Sequence, residues 1–134
     1  MGKYNKSKFF TFTIQGDNLD VVAAKETIGL PCKIFTKGQK SFTKWLKTEV
    51  VSRSTRWVYE SILQDKTNAN VFLLKNLEII REKMPEIKKF IKGNKVLLDL
   101  VIYDDTPRKN HVILNRKIIK LLSEIDMDLS IVFF

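Results

Sequence analysis

A chain of 134 residues, 44% hydrophobic and 29% charged, has the size and composition of one folded unit, so residues 1–134 are expected to form a single domain. Five glycines and three prolines are too few for a linker-rich or disordered chain, and a lone Cys32 excludes an internal disulfide. The formal charge of +9 favours acidic partners, either nucleic acid or an acidic protein surface, but bears on association and not on chemistry.

Lys3, Lys6 and Lys8 precede Phe9-Phe10-Thr11-Phe12-Thr13-Ile14, which resembles a signal peptide only superficially. Threonines interrupt the apolar run, Gln15-Gly16-Asp17 ends it, and no small-residue cleavage site follows. With no stretch approaching about 20 apolar residues, the expectation is a cytoplasmic protein with no membrane span. The alternation of Phe10, Phe12 and Ile14 with Thr11, Thr13 and Gln15 is the period-two signature of a strand. A turn at Gly16-Asp17-Asn18 follows, with Asp17 or Asn18 placed to cap a helix that turns Leu19, Val22 and Ala23 to one side. Gly29 is its left-handed stop, and Pro31 prevents continuation.

A second strand is expected from Cys32 to Thr36. Residues 38–53 fit a short helix or an irregular strand, although Val50-Val51 and the serines beyond argue against a long helix. From Thr55 the pattern is a strand with Trp57, Tyr59 and Ser61 on one face. Asn70 is placed to cap a long helix whose stripe is Leu73, Leu77, Ile80, Met84, Ile87 and Ile91. Pro85 should kink or break it, because proline lacks the N–H and crowds the preceding turn. The apolar run Val96 to Tyr103 reads as a central strand shielded on both faces, and Asp104 to Asn110 as a polar loop. Asn115 caps a last helix carrying Ile118, Leu121, Leu122 and Ile125, and Leu129 to Phe134 is a closing strand that must pair within the sheet.

The order β-α-β-β-α-β-α-β predicts an α+β fold. Specifically, it predicts a ferredoxin-like two-layer sandwich (β-α-β-β-α-β) extended by a C-terminal helix and strand, with helices mainly on one sheet face. The first β-α-β, residues 9–36, and the last, residues 96–134, look like two related units. Gly16-Asp17-Asn18-Leu19-Asp20, Ile28-Gly29-Leu30-Pro31, Lys37-Gly38, Trp57-Val58-Tyr59-Glu60-Ser61 and the tail from Leu114 together resemble a bacterial family, domain of unknown function 4279. That resemblance spans nearly the whole chain and implies a fold, but no catalytic or ligand residues.

The candidate contact site is basic. Lys33, Lys37, Lys40, Lys44, Lys47, Arg53 and Arg56 crowd one segment, opposed only by Glu49 and interleaved with Phe42, Trp45 and Trp57. Cations neutralise phosphates and exposed aromatics stack on unpaired bases, so this mixture suits single-stranded nucleic acid. Were the segment helical, Lys37, Lys40, Lys44 and Lys47 would share one face. The competing reading makes the aromatics core residues and the lysines a solvated rim, which residue type favours.

Three other groups could carry chemistry. His111 with Asp104 and Asp105 lacks any metal-ligand spacing, so no metal site is expected. Cys32 beside Lys33 reads as a small hydrophobe. Asp99, a carboxylate in an apolar strand, must find a partner or open onto a cleft. An enzyme would need a pocket collecting Asp99, His111 and Tyr59. No cofactor motif is present. The expected function is protein interaction, immunity-like or regulatory, with an acidic protein as partner; nucleic-acid binding through residues 33–56 is the alternative.

Overall fold

The computed structural model describes residues 8–43, 47–63, 68–103 and 112–133. In chain order the elements are β1 (Lys8–Gln15), α1 (Val21–Ile28), β2 (Lys33–Phe35), β3 (Lys40–Thr43), β4 (Thr48–Val51) and β5 (Arg56–Leu63). They continue with α2 (Ala69–Ile91), β6 (Lys95–Ile102), α3 (Arg116–Ile125) and β7 (Leu129–Phe133). Five strands form a mixed sheet in the order β2-β5-β1-β6-β7, and β3 and β4 form a separate two-stranded ribbon. The sheet is antiparallel except where β7 joins β6 in parallel.

Period-two alternation decides which side of the sheet is buried. The register aligns Phe12 with Tyr59 and Leu98, and Phe10 with Leu100, so these side chains share one face. That face carries Phe10, Phe12, Ile14, Trp57, Tyr59, Leu98, Leu100 and Ile102, and all three helices pack their apolar sides onto it. The other face holds Phe9, Val58, Leu97 and Val101, none of which belongs to that core. No described helix is long and apolar enough to cross a membrane.

The helix ends show where local chemistry was misread. Asp20, not Asp17 or Asn18, caps α1: its Oδ1 accepts from the Ala23 N–H at 3.0 Å. Leu19 therefore precedes the cap and sits out of phase with the helix. The buried face is Val21, Ala24 and Ile28, while Val22 is exposed. Leu19 is itself buried and stands at the position from which a residue staples onto Ala24. Gly29 ends the helix at φ 71°, as expected.

Asn68, not Asn70, caps α2, accepting from the Asn70 N–H at 2.7 Å. Asn70 spends its amide elsewhere: Oδ1 accepts from Ile113 N at 2.8 Å and Nδ2 donates to Ile113 O at 2.6 Å. The segment ahead of α3 is thereby clamped to the start of α2. The expected stripe from Leu73 to Ile87 is buried, but α2 continues through Pro85 without a break. Asn115 caps α3 as expected, its Oδ1 accepting from Ile118 N at 3.0 Å.

Of the two alternatives for residues 38–53, the strand reading holds: among the described residues they form β3 and β4 and no helix. The expected likeness of the two β-α-β stretches is corrected. β1 and β2 are separated in the sheet by β5, whereas β6 and β7 are direct neighbours.

Candidate functional site

The ribbon starts from a turn at the end of β2. Gln39 N donates to Thr36 O at 2.9 Å, and Gln39 Oε1 accepts from Thr36 N at 3.1 Å. Gly38 adopts φ 86°, a left-handed conformation that glycine takes without a Cβ clash. Its N–H donates to Ser52 O at 2.9 Å, and Ser52 N donates to Gln39 O at 2.9 Å, which closes the base. Buried Thr55 fixes that base to the sheet: its Oγ1 accepts from Lys37 N at 3.1 Å, and its carbonyl accepts from Gly16 N at 3.1 Å. Beyond the base, β3 and β4 pair with Lys40 opposite Val51. All four residues of β4 are exposed, and no described side chain of the ribbon belongs to the core.

This geometry distributes the basic residues along the ribbon. Lys37 and Arg53 line an open hollow of about 650 Å³ at the base, with Glu49, Val50 and Val51 between them. Lys40 opens β3, and Lys47 stands at the far end. Lys47 has φ 47°, a left-handed conformation that is costly for a side-chain-bearing residue. Because the segment is extended, the helical face expected for Lys37, Lys40, Lys44 and Lys47 does not form. Lys44, Trp45 and the side chain of Phe42 lie outside the described residues. Trp57 is fully buried and packs edge-on to Phe12 at 6.0 Å between centroids, so it is a core residue and offers no stacking surface.

Two members of the basic cluster belong to the sheet. Arg56 sits on the open face with its guanidinium 4.3 Å from the Phe35 ring centroid, a cation–π contact. Lys33, on the same face, reaches Glu60 at 3.4 Å. Lys37 lies 3.9 Å from Asp17, but both are well exposed and the pair contributes little.

The open face also explains Asp99. The register sets Thr11 between Glu60 on one side and Asp99 on the other, with Ser130 beyond Asp99. Partial burial holds the Asp99 carboxyl above its ordinary value of 3.8. Tyr59 points the opposite way, into the core, where its hydroxyl donates to Asn76 Oδ1 at 2.9 Å. Asn76 Nδ2 in turn donates to Phe72 O at 2.9 Å. Burial raises the Tyr59 phenol and a hydrogen bond with Ser61 partly offsets it. Asp99 and Tyr59 thus lie on opposite faces of one sheet and cannot share a pocket. His111, Asp104 and Asp105 lie outside the described residues, and no group of metal-ligating side chains occurs among the described ones. Cys32 is half-buried against the core.

Comparison with family models, with curated proteins and with solved structures gives no match. The site therefore rests on its own geometry. Sequence reasoning located the basic cluster but missed the ribbon that displays it. The available signal was the β-forming Thr48, Val50 and Val51 following Phe42 and Thr43, with no Asn-Gly turn to announce a hairpin.

Proposed function

We propose that this chain is an interaction module that presents the β3–β4 ribbon to an acidic protein surface, with no catalytic step asked of it. The observation that carries this reading is the hollow at the ribbon base, where Lys37 and Arg53 flank exposed Val50 and Val51. Cations around an apolar patch suit a protein partner, which supplies carboxylates at the rim and side chains at the centre. Phosphates would use the cations but not the valines. The nucleic-acid reading also loses Trp57, which is buried.

The ribbon's attachment supports the same reading. Its β4 strand is exposed, yet its base is fixed through Thr55, which limits the ordering cost of binding. The left-handed Lys47 is consistent with a residue retained for contact against local strain.

We further read β1-α1-β2-β5-α2-β6 as a ferredoxin-like unit, into which the ribbon is inserted and to which α3 and β7 are added. Support comes from the spatial order β2-β5-β1-β6 with antiparallel neighbours. The resemblance drawn from the sequence assigns no site residue and adds nothing to the choice of partner.

The test is charge reversal. Lys40→Glu, Lys47→Glu and Arg53→Glu together should leave the circular dichroism spectrum intact and remove a stoichiometric acidic protein recovered from cells. Binding of a single-stranded oligonucleotide should be weak throughout. If the oligonucleotide instead bound tightly, with affinity falling steeply as salt rises, the nucleic-acid reading would replace this one.

A further inference from the structure

The opposite edge of the sheet carries a different surface. β7 ends the strand order, and among the described residues nothing pairs with its outer side. Its five residues, Leu129–Phe133, include no charge and no proline, and Val132 and Phe133 are 37% and 49% exposed. Edge strands are ordinarily blunted by shortness or charge. The other edge follows that rule, since β2 has three residues and begins with Lys33. Beside β7 runs an open groove of about 600 Å³ against α3, lined by Leu114, Leu122, Met127, Leu129 and Ile131, with Ser123, Asp126 and Asp128 also on its wall. Ile119, one turn before Leu122 on the same side of α3, is 54% exposed.

The charges along this edge are arranged end to end. Arg116 opens α3, and Asp126 and Asp128 follow its last turn, where both carboxylates line the groove. Lys117 and Glu124 are turned toward α2, where they meet Glu78 at 3.9 Å and Arg81 at 3.4 Å. A cation at one end of α3 and carboxylates at the other, on the wall of the groove, is a self-complementary pattern. A two-fold axis normal to the sheet matches each end with its opposite.

We infer that two copies of this chain associate through β7 and α3. The β7 strands pair antiparallel into a continuous ten-stranded sheet, and the α3 helices lie antiparallel over the joint. Arg116 of one copy then faces Asp126 and Asp128 of the other, which compensates these carboxylates as the two grooves close against each other. The ribbon follows β2 at the far edge, so the dimer leaves both ribbons exposed. This inference does not depend on what the ribbon binds.

Sedimentation of the full chain tests it. Twice the monomer mass is expected at about 100 μM, a concentration at which an interface of ordinary size is populated. Ile119→Lys and Val132→Lys, both at exposed positions, should each raise the dissociation constant at least about tenfold. Arg116→Glu should weaken the dimer, and adding Asp128→Lys to the same chain should restore it, which a folding defect would not do. A wild-type chain that stays monomeric at that concentration overturns the inference, whether or not the edge accepts a strand from another protein. So does a dimer indifferent to Ile119→Lys, Val132→Lys and Arg116→Glu.

Discussion

Gly16 is required by space and not by backbone conformation. A Cβ there would run into the side-chain amide of Asn94, which donates from Nδ2 to Phe90 O at 2.6 Å. Gly16→Ala must therefore push Asn94 off its bond, at an expected cost of about 1–2 kcal/mol in urea unfolding. Adding Asn94→Ala vacates the site, so the double variant should be no less stable than Asn94→Ala alone. Asp99 makes a different prediction at this scale. Its folded carboxyl holds the proton more tightly than the unfolded chain does. Its contribution to stability is therefore fully present below pH 3.8 and is lost as pH rises through its raised folded value. Asp99→Asn, uncharged throughout, should exceed wild-type stability at about pH 7 and converge with it at about pH 3, as measured by denaturant midpoints. A wild type that gains stability over the variant as pH rises would mean that the carboxylate has a partner on the open face.

At the scale of elements, helix α2 tolerates Pro85 because its other face is anchored by Leu77, Ile80, Met84 and Ile87. Tertiary packing outweighs local propensity there, so of the kink or break expected at Pro85 the break does not occur. Pro85 is exposed, so Pro85→Ala restores an N–H without disturbing the core and should raise stability by about 1–3 kcal/mol. The ribbon predicts a trade-off. Lys47→Gly relieves the left-handed strain and should stabilise the chain by about 1 kcal/mol while weakening partner binding, which parallel unfolding and binding titrations would separate.

Much of the element order was legible because β1, β5, α2 and α3 carry clean periodicity and side-chain caps. The α1 face was misassigned because Leu19, though apolar and buried, lies before the cap and so shifts the apparent phase. The ribbon was illegible for a physical reason. β4, exposed at all four residues, has no buried face and so no hydrophobic alternation to display. Its basic residues were visible as a cluster, but their distribution between ribbon and sheet depended on strand register. No local pattern announces that register.

Taken whole, the molecule has one sheet face packed against the helices, an inserted ribbon beside one edge and an uncharged second edge. Stability and contact are thereby segregated. The core lies between the sheet and the helices, and none of the ribbon's described side chains belongs to it. Part of the positive charge has a location in this arrangement: Lys37, Lys40, Lys47 and Arg53 lie on or beside the ribbon. Such a division lets contact residues vary at little cost to folding. Placing a photo-crosslinking residue at Val51 in the ribbon, with Val71 on exposed α2 as the control, tests this directly in cells. The account predicts one acidic protein adduct from position 51 and none from position 71. Nucleic-acid adducts from position 51, or the same products from both positions, would contradict it.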